Sequence, residues 1–213
     1  ECGDKYVLLW DTCYSIADTD TLEISGSWDI EAQQVIYGEL TGEIPSDIGK
    51  LTNLTYLNLY GNQLAGEIPS ELWNLSNLTY LRFSGNQLTG QIPSNIGNLT
   101  NLKWLGLDSN HFTGDIPSEI ENLINLEVLV LSSNQLTIIP SEIGNLSNLT
   151  SLSLSENQFT EIPSEIGNLT NLTSLNIGNN QLTEIPSVIG NLTNLITLSF
   201  HSNHLTEIPV EIG

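Results

Sequence analysis

Aromatic and charged side chains return at a fixed interval along the first half of this 213-residue chain. Tyr56, Tyr80, Trp104 and Val128 stand 24 residues apart. Asn58 and Arg82 open a second series at the same interval, and Tyr60 and Asp108 belong to a third. Exposed aromatics beside an arginine are what protein interfaces use as anchors, and a row of rings also suits stacking on sugars. Further on, the series turn to small polar groups, as in Ser151, Ser174 and Thr197. The chemistry that these residues suggest is adhesion. Catalysis has no comparable set: His111, His201 and His204 lie at separate or turn positions, and serine recurs too often for a Ser–His–acid trio to stand out. Carboxylates flank the recurring Ile-Pro pairs, as in Glu43/Asp47, Glu67/Glu71, Asp115/Glu119, Glu161/Glu165 and Glu207/Glu211. Stacked carboxylates suit Ca²⁺, but a solvated acidic surface is the better account of them, since they recur because the repeat recurs. No catalytic residue, metal site or cofactor is assigned.

Regular spacing requires regular elements. The pattern LxxLxLxxN falls seven times in register, opening at Leu54, Leu78, Leu102, Leu126, Leu149, Leu172 and Leu195, first every 24 and then every 23 residues. Alternation within LxL predicts a short strand with leucines inward and the intervening residues outward. Asn62, Asn86, Asn110, Asn134, Asn157, Asn180 and Asn203 follow each strand, where an amide can bond backbone groups that a turn leaves unpaired. All eight prolines (Pro45, Pro69, Pro93, Pro117, Pro140, Pro163, Pro186, Pro209) follow isoleucine. They predict an extended return segment, then one 3₁₀ or short helical turn ended by glycine. A period of roughly 20–29 residues with this text is the mark of a leucine-rich repeat solenoid. The fold class is therefore an α/β solenoid: a leucine-rich repeat horseshoe with a concave parallel β-sheet and a convex side of extended segments and 3₁₀ or short helical turns.

The organisation reads as one continuous solenoid in four stretches. Residues 1–20 form an N-terminal cap, whose apolar side draws on Tyr6, Val7, Leu8, Leu9, Trp10 and Tyr14. Cys2 and Cys13 suggest a disulfide in that cap and an oxidising compartment. Residues 21–45 are a degenerate first repeat with an insertion at about 27–38 carrying Trp28, Asp29, Glu31 and Tyr37. The insertion either joins the binding face or packs as part of the cap. Residues 46–136 hold the 24-residue repeats. Residues 137–213 hold the 23-residue repeats, reading as truncated without a C-terminal cap, so that the last coil suggests a longer natural protein or end-to-end self-association.

The text LTGxIPxxIGxLxNL over residues 40 to about 136 resembles plant-type extracellular leucine-rich repeats, as in receptor-kinase ectodomains and polygalacturonase-inhibiting proteins. Gly42, Gly66, Gly90 and Gly114 match that family's glycine, and WDTC at 10–13 is similar to the end of its Cys-paired cap. From Leu136 the text LTIIPSEIG lacks the glycine and resembles shorter repeats of bacterial and lower-eukaryote proteins. The resemblance implies a curved solenoid that binds partners on its concave sheet and has no catalytic apparatus.

Twenty-five acidic residues against four Lys and Arg give a net charge of −21. Such a field repels phosphate backbones and anionic membranes. No apolar run reaches the roughly 18 residues a membrane helix needs, and no signal peptide is evident, as in a mature or excised piece of a longer precursor. Nine Asn-x-Ser/Thr sequons recur with the repeat; a eukaryotic secretory pathway would glycosylate some of them. The expectation is an extracellular module, secreted or on a cell surface, binding a protein or polysaccharide without nucleic acid. Two alternatives are an ice-binding protein using the Ser/Thr/Asn columns and a structural segment of a large surface adhesin.

Overall fold

The computed structural model describes residues 2–29, 34–36 and 38–212; at 27–29 and 34–36 the description is of backbone. Each repeat forms one coil, and the coils stack in sequence order. Their strands form an eight-stranded parallel sheet: Thr21–Glu23, Tyr56–Asn58, Tyr80–Arg82, Trp104–Gly106, Val128–Val130, Ser151–Ser153, Ser174–Asn176 and Thr197–Ser199. The pairing puts Tyr56, Tyr80, Trp104, Val128, Ser151, Ser174 and Thr197 in one column, with Thr21 beside Tyr56. Leu57, Leu81, Leu105, Leu129 and Leu152 alternate inward and are fully buried. Burying each is worth roughly 1.5–3 kcal/mol, and they hold the sheet to the core.

The asparagines knit coil to coil. Asn110 Nδ2 donates to Leu107 O in its own turn at 3.1 Å and to Phe83 O in the preceding coil at 3.0 Å. Its Oδ1 accepts from Leu88 N–H at 3.0 Å. Asn62, Asn86, Asn134, Asn157 and Asn180 repeat this pattern. The residue before each asparagine is left-handed, glycine in the first two coils (Gly61 and Gly85) and then Ser109, Ser133, Glu156, Asn179 and Ser202.

On the other side of the coils, prolines lead into 3₁₀ turns such as Ser46–Lys50, Ser70–Asn74 and Ser94–Asn98. These turns end differently from the expectation. The glycines of this column do not end the turns. They lie inside them, and each turn closes at the following leucine, as at Leu51 and Leu99. Glycine is needed because the coils nearly touch: a Cβ at Gly49 would stand 2.6 Å from Glu71 Cβ, and one at Gly144 2.5 Å from Glu165 O. A different set, Gly42, Gly66, Gly90 and Gly114, does adopt positive φ, between 76° and 86°. Short strand pairings beside these glycines run along the back as far as Gln135–Leu136. They stop, among the described residues, where the repeat shortens and that glycine disappears.

The cap is a hairpin, Tyr6–Leu9 against Thr12–Ser15, turned at Trp10 and Asp11, both at positive φ. Cys2 and Cys13 are disulfide-bonded, with Cα atoms 5.8 Å apart. Strand alternation sends Val7 and Leu9 into the core, with Trp10 and Tyr14 packed partly against it, and leaves Tyr6 and Leu8 exposed. Only part of the expected apolar side therefore faces inward. Within the insertion, Ser27–Asp29 pairs antiparallel with Gln34–Ile36. Its two ends are tied beside Tyr60, by Gly26 N–H to Tyr60 O and Gly38 N–H to Gly61 O. Glu31 and Tyr37 lie outside the described residues.

Candidate functional site

The register brings Tyr56, Tyr80 and Trp104 into contact, because in-register parallel strands lie about 4.8 Å apart. Their rings stack nearly parallel, with centroids at 4.3 Å between the tyrosines and 4.6 Å between Tyr80 and Trp104. The indole lies over Gly106 in its own strand. A Cβ at that glycine would fall within 2.5 Å of the indole's distal ring. Gly106 is therefore part of the site, because it leaves the floor clear for Trp104.

Arg82 occupies the next column. Its guanidinium carbon sits 4.0 Å from the centroid of the Tyr60 ring and 5.5 Å from that of Trp104, within the range of attraction between a cation and a ring face. Its Nε is buried and has no hydrogen-bond partner. Lys50 pairs with Asp47 and Lys103 with Glu127, but Arg82 has no carboxylate in ion-pair range among the described residues. Tyr60 is oriented by its neighbours: its N–H donates to Asn58 Oδ1, and Asn58 Nδ2 donates to Glu23 Oε1, both at 3.1 Å. Asp108 accepts from the buried Ser84 hydroxyl. Burial raises the Asp108 pKa, against the opposing effects of the Ser84 hydrogen bond, its own backbone and Arg82. Burial also raises that of the Tyr80 phenol, with Arg82 opposing and Tyr56 adding to it.

The eight residues singled out on the sheet thus occupy one contiguous face, although their side chains are less open than strand alternation implies. Tyr56, Tyr60, Tyr80, Arg82, Trp104, Asp108 and Val128 are half-buried, and Asn58 is buried. Mutual cover contributes: Tyr80 stacks between Tyr56 and Trp104, and Arg82 lies over Tyr60. That arrangement closes both faces of Tyr80 to a stacked sugar and leaves ring edges, phenolic hydroxyls and the arginine. Sequence reasoning missed Glu23, Ser84 and Gly106; for Glu23 the signal was its place in the Asn58 column. Of the insertion residues, Trp28 and Asp29 lie on the first insertion strand. The three histidines are exposed, and His201 bonds Ser199 Oγ at 2.8 Å. Among the described residues, no His, Cys, Asp and Glu side chains are grouped to hold a metal ion, and no helix is long and apolar enough to cross a membrane.

Family models agree with this geometry. "Leucine Rich repeats (2 copies)" matches residues 52–100, "Leucine rich repeat" residues 100–159 and "Leucine-rich repeat region" residues 141–213. The chain is a leucine-rich repeat protein. Within that class it resembles the ectodomains of plant receptor kinases. The ectodomain of the membrane receptor kinase GASSHO1/SCHENGEN3 from Arabidopsis thaliana, solved in complex with CASPARIAN STRIP INTEGRITY FACTOR 2, is 43% identical over 82% of this chain, with a TM-score of 0.79. The chain spans only 22% of that structure's length. A Leptospira interrogans leucine-rich repeat protein is 40% identical over 80% of this chain and 43% of its own, with a TM-score of 0.73. A plant ice-binding protein is 30% identical over 80% of this chain and 64% of its own, with a TM-score of 0.62. No curated protein sequence matches the chain.

Proposed function

We propose that the chain is an extracellular, non-enzymatic binding module that holds a polypeptide segment across the N-terminal half of its concave sheet. The observation that carries this reading is Arg82, held between Tyr60 and Trp104 with a buried and unpartnered Nε–H. A buried donor left without a partner is costly, and a ligand carbonyl or carboxylate that parts the flanking side chains supplies the missing acceptor. The half-buried ring edges around it suit peptide groups better than stacked sugars. With a net charge of −21, the long-range field draws in segments of net positive charge, and Arg82 reads an acceptor within such a segment. Similar solved structures include receptor ectodomains in complex with peptide hormones, which supports a polypeptide in preference to a polysaccharide. Residues 1–20 serve as cap, and the repeats on either side of residue 136 serve as one binding scaffold.

The test is a selection of phage-displayed peptides on the immobilised chain, followed by calorimetry on the winners. Selected peptides are expected to be basic, to bind more weakly as salt rises, and to lose at least about tenfold in affinity, roughly 1.4 kcal/mol, to the Tyr80→Ala/Trp104→Ala variant. Undiminished binding to that variant, with its circular dichroism intact, would overturn the proposal.

A second reading rests on the columns of Ser151, Ser174 and Thr197 together with the likeness to an ice-binding protein. Thr197 Oγ1 donates to Ser174 Oγ at 2.8 Å, so two of these hydroxyls are held relative to each other. Thermal-hysteresis and ice-recrystallisation assays decide it, and inactivity in both removes the ice reading.

A further inference from the structure

The glycine column on the back of the coils, at Gly49, Gly97, Gly144, Gly167 and Gly190, is interrupted at residues 73 and 121. A methyl group at the glycines would already collide: one at Gly97 would lie 2.8 Å from Glu119 O. Glu121 is accommodated half-buried and accepts a hydrogen bond from Asn145 Nδ2 at 2.7 Å. Trp73 is accommodated differently. Its side chain is 1% exposed, and the turns Ser70–Asn74 and Ser94–Asn98 pack less closely than the pairs on either side of them. The indole acts as a wedge between two coils.

A cleft of about 810 Å³ opens at this place, lined in part by Trp73, Ile68, Pro69 and Pro93. None of its lining residues belongs to the concave sheet. Glu43, Glu67 and Glu71 also line it, and none of the three has a cation in ion-pair range among the described residues. Two left-handed glycines make room for these acids: a Cβ at Gly66 would lie 3.1 Å from Glu43 Cγ, and one at Gly90 2.8 Å from Glu67 Cγ. A second, independent observation concerns Trp73 itself. Its indole N–H is buried and has no acceptor, and an unmade buried hydrogen bond needs an explanation.

We propose that this cleft is a second binding site, for a lysine or arginine side chain of a protein partner. The apolar walls take the aliphatic stem of such a residue, as long cationic side chains favour. The carboxylates take its head, and a small shift of the indole toward the cleft gives its N–H a backbone carbonyl of the same segment as acceptor. A metal ion is the poorer occupant, because the carboxylates do not converge on one point.

The test is an NMR titration of the indole N–H resonance of Trp73, assigned with Trp73→Phe. The probes are the capped tripeptide Gly-Arg-Gly and its citrulline counterpart, which keeps the shape and loses the charge. The arginine peptide is expected to shift the resonance saturably in the millimolar range, the citrulline peptide to leave it in place, and Glu67→Gln/Glu71→Gln to weaken the response about tenfold. A shift that fails to saturate, an equal shift with citrulline, or a response unchanged in the double variant would each overturn the proposal. So would calcium chloride shifting the same resonance and blocking the peptide. The concave site is untouched by these variants, so failure here leaves the reading of the sheet face standing.

Discussion

Replacing Gly106 with alanine tests the architecture of the concave site without removing any of its functional groups. The new methyl would sit within 2.5 Å of the distal ring of Trp104, where carbon atoms need about 3.5–4.0 Å. The indole must therefore move by more than 1 Å, roughly, and leave its stack on Tyr80 and its place beside Arg82. An aromatic pair is worth about 0.5–1.5 kcal/mol, and an exposed cation–ring contact adds about 0.5–1 kcal/mol. Alanine in a strand returns about 0.5–1 kcal/mol of backbone entropy. The net cost in the wild-type background is then about 0.5–1.5 kcal/mol. In a Trp104→Ala background the indole clash is gone, and the entropic gain stands against only the 2.9 Å approach to Ser84 Oγ, which both backgrounds share and which cancels in the coupling. A double-mutant cycle by urea unfolding should accordingly give a coupling energy of about 1–2.5 kcal/mol between positions 104 and 106. Near-ultraviolet circular dichroism should show Gly106→Ala losing the ring-stack signal almost as completely as Trp104→Ala. Additivity to within about 0.5 kcal/mol, or an unaltered spectrum, would refute the placement of the indole over Gly106.

Two further substitutions address the ladder and the buried acid. Asn110→Ala leaves Leu88 N–H, Phe83 O and Leu107 O without their side-chain partner; at about 1–3 kcal/mol for each buried group, a loss of at least about 3 kcal/mol is expected. Asn203→Ala, in a half-buried place, should cost about 1–2 kcal/mol by the same reasoning, and urea melts of the two variants compare them directly. Asp108 has a pKa raised chiefly by burial, so folding favours its neutral form. Its contribution is fully present below the unfolded-state value, about 3.9, and is lost as pH rises through the higher folded-state value. Asp108→Asn should therefore gain stability relative to wild type as pH climbs from about 3 to 7, and a difference that shrinks over that interval would count against the burial argument.

The extent to which the sequence was legible follows from how local each determinant is. Leucine, asparagine and proline act within their own coil, by alternation, turn bonding and fixed φ, so their period alone specifies the solenoid. The role of the back-face glycines was misread because it depends on how closely the next coil approaches, and that distance is absent from a single repeat. The same holds for the rings. Their columns follow from spacing, but whether a ring stands open or lies on its neighbour depends on residues one coil away and on Gly106 two positions along. Trp73 is legible as a departure from the glycine column, but a column read as turn termination gives that departure no meaning. Asn58 holds an outward strand position and is nevertheless buried, bonded to Glu23 and to the Tyr60 N–H.

The two faces of these coils are linked by one geometric constraint. The strands keep their spacing, as shown by Thr79 N–H to Thr55 O and Lys103 N–H to Thr79 O, both 2.8 Å. On the back, Trp73 holds the coils apart where glycine elsewhere lets them close. Fixed spacing in front with added spacing behind tilts one coil against the next and brings the outward tips of the concave side chains together. The rings of Tyr56, Tyr80 and Trp104 stack at 4.3 and 4.6 Å. The wedge at Trp73 and the stack on the sheet thus occupy opposite sides of the same coils. In the 23-residue repeats the column returns to glycine and the outward residues to serine, threonine and asparagine, so neither wedge nor stack is present there. The concentration of chemistry in the first half of the chain is then a property of the coils, and it extends to both of their faces.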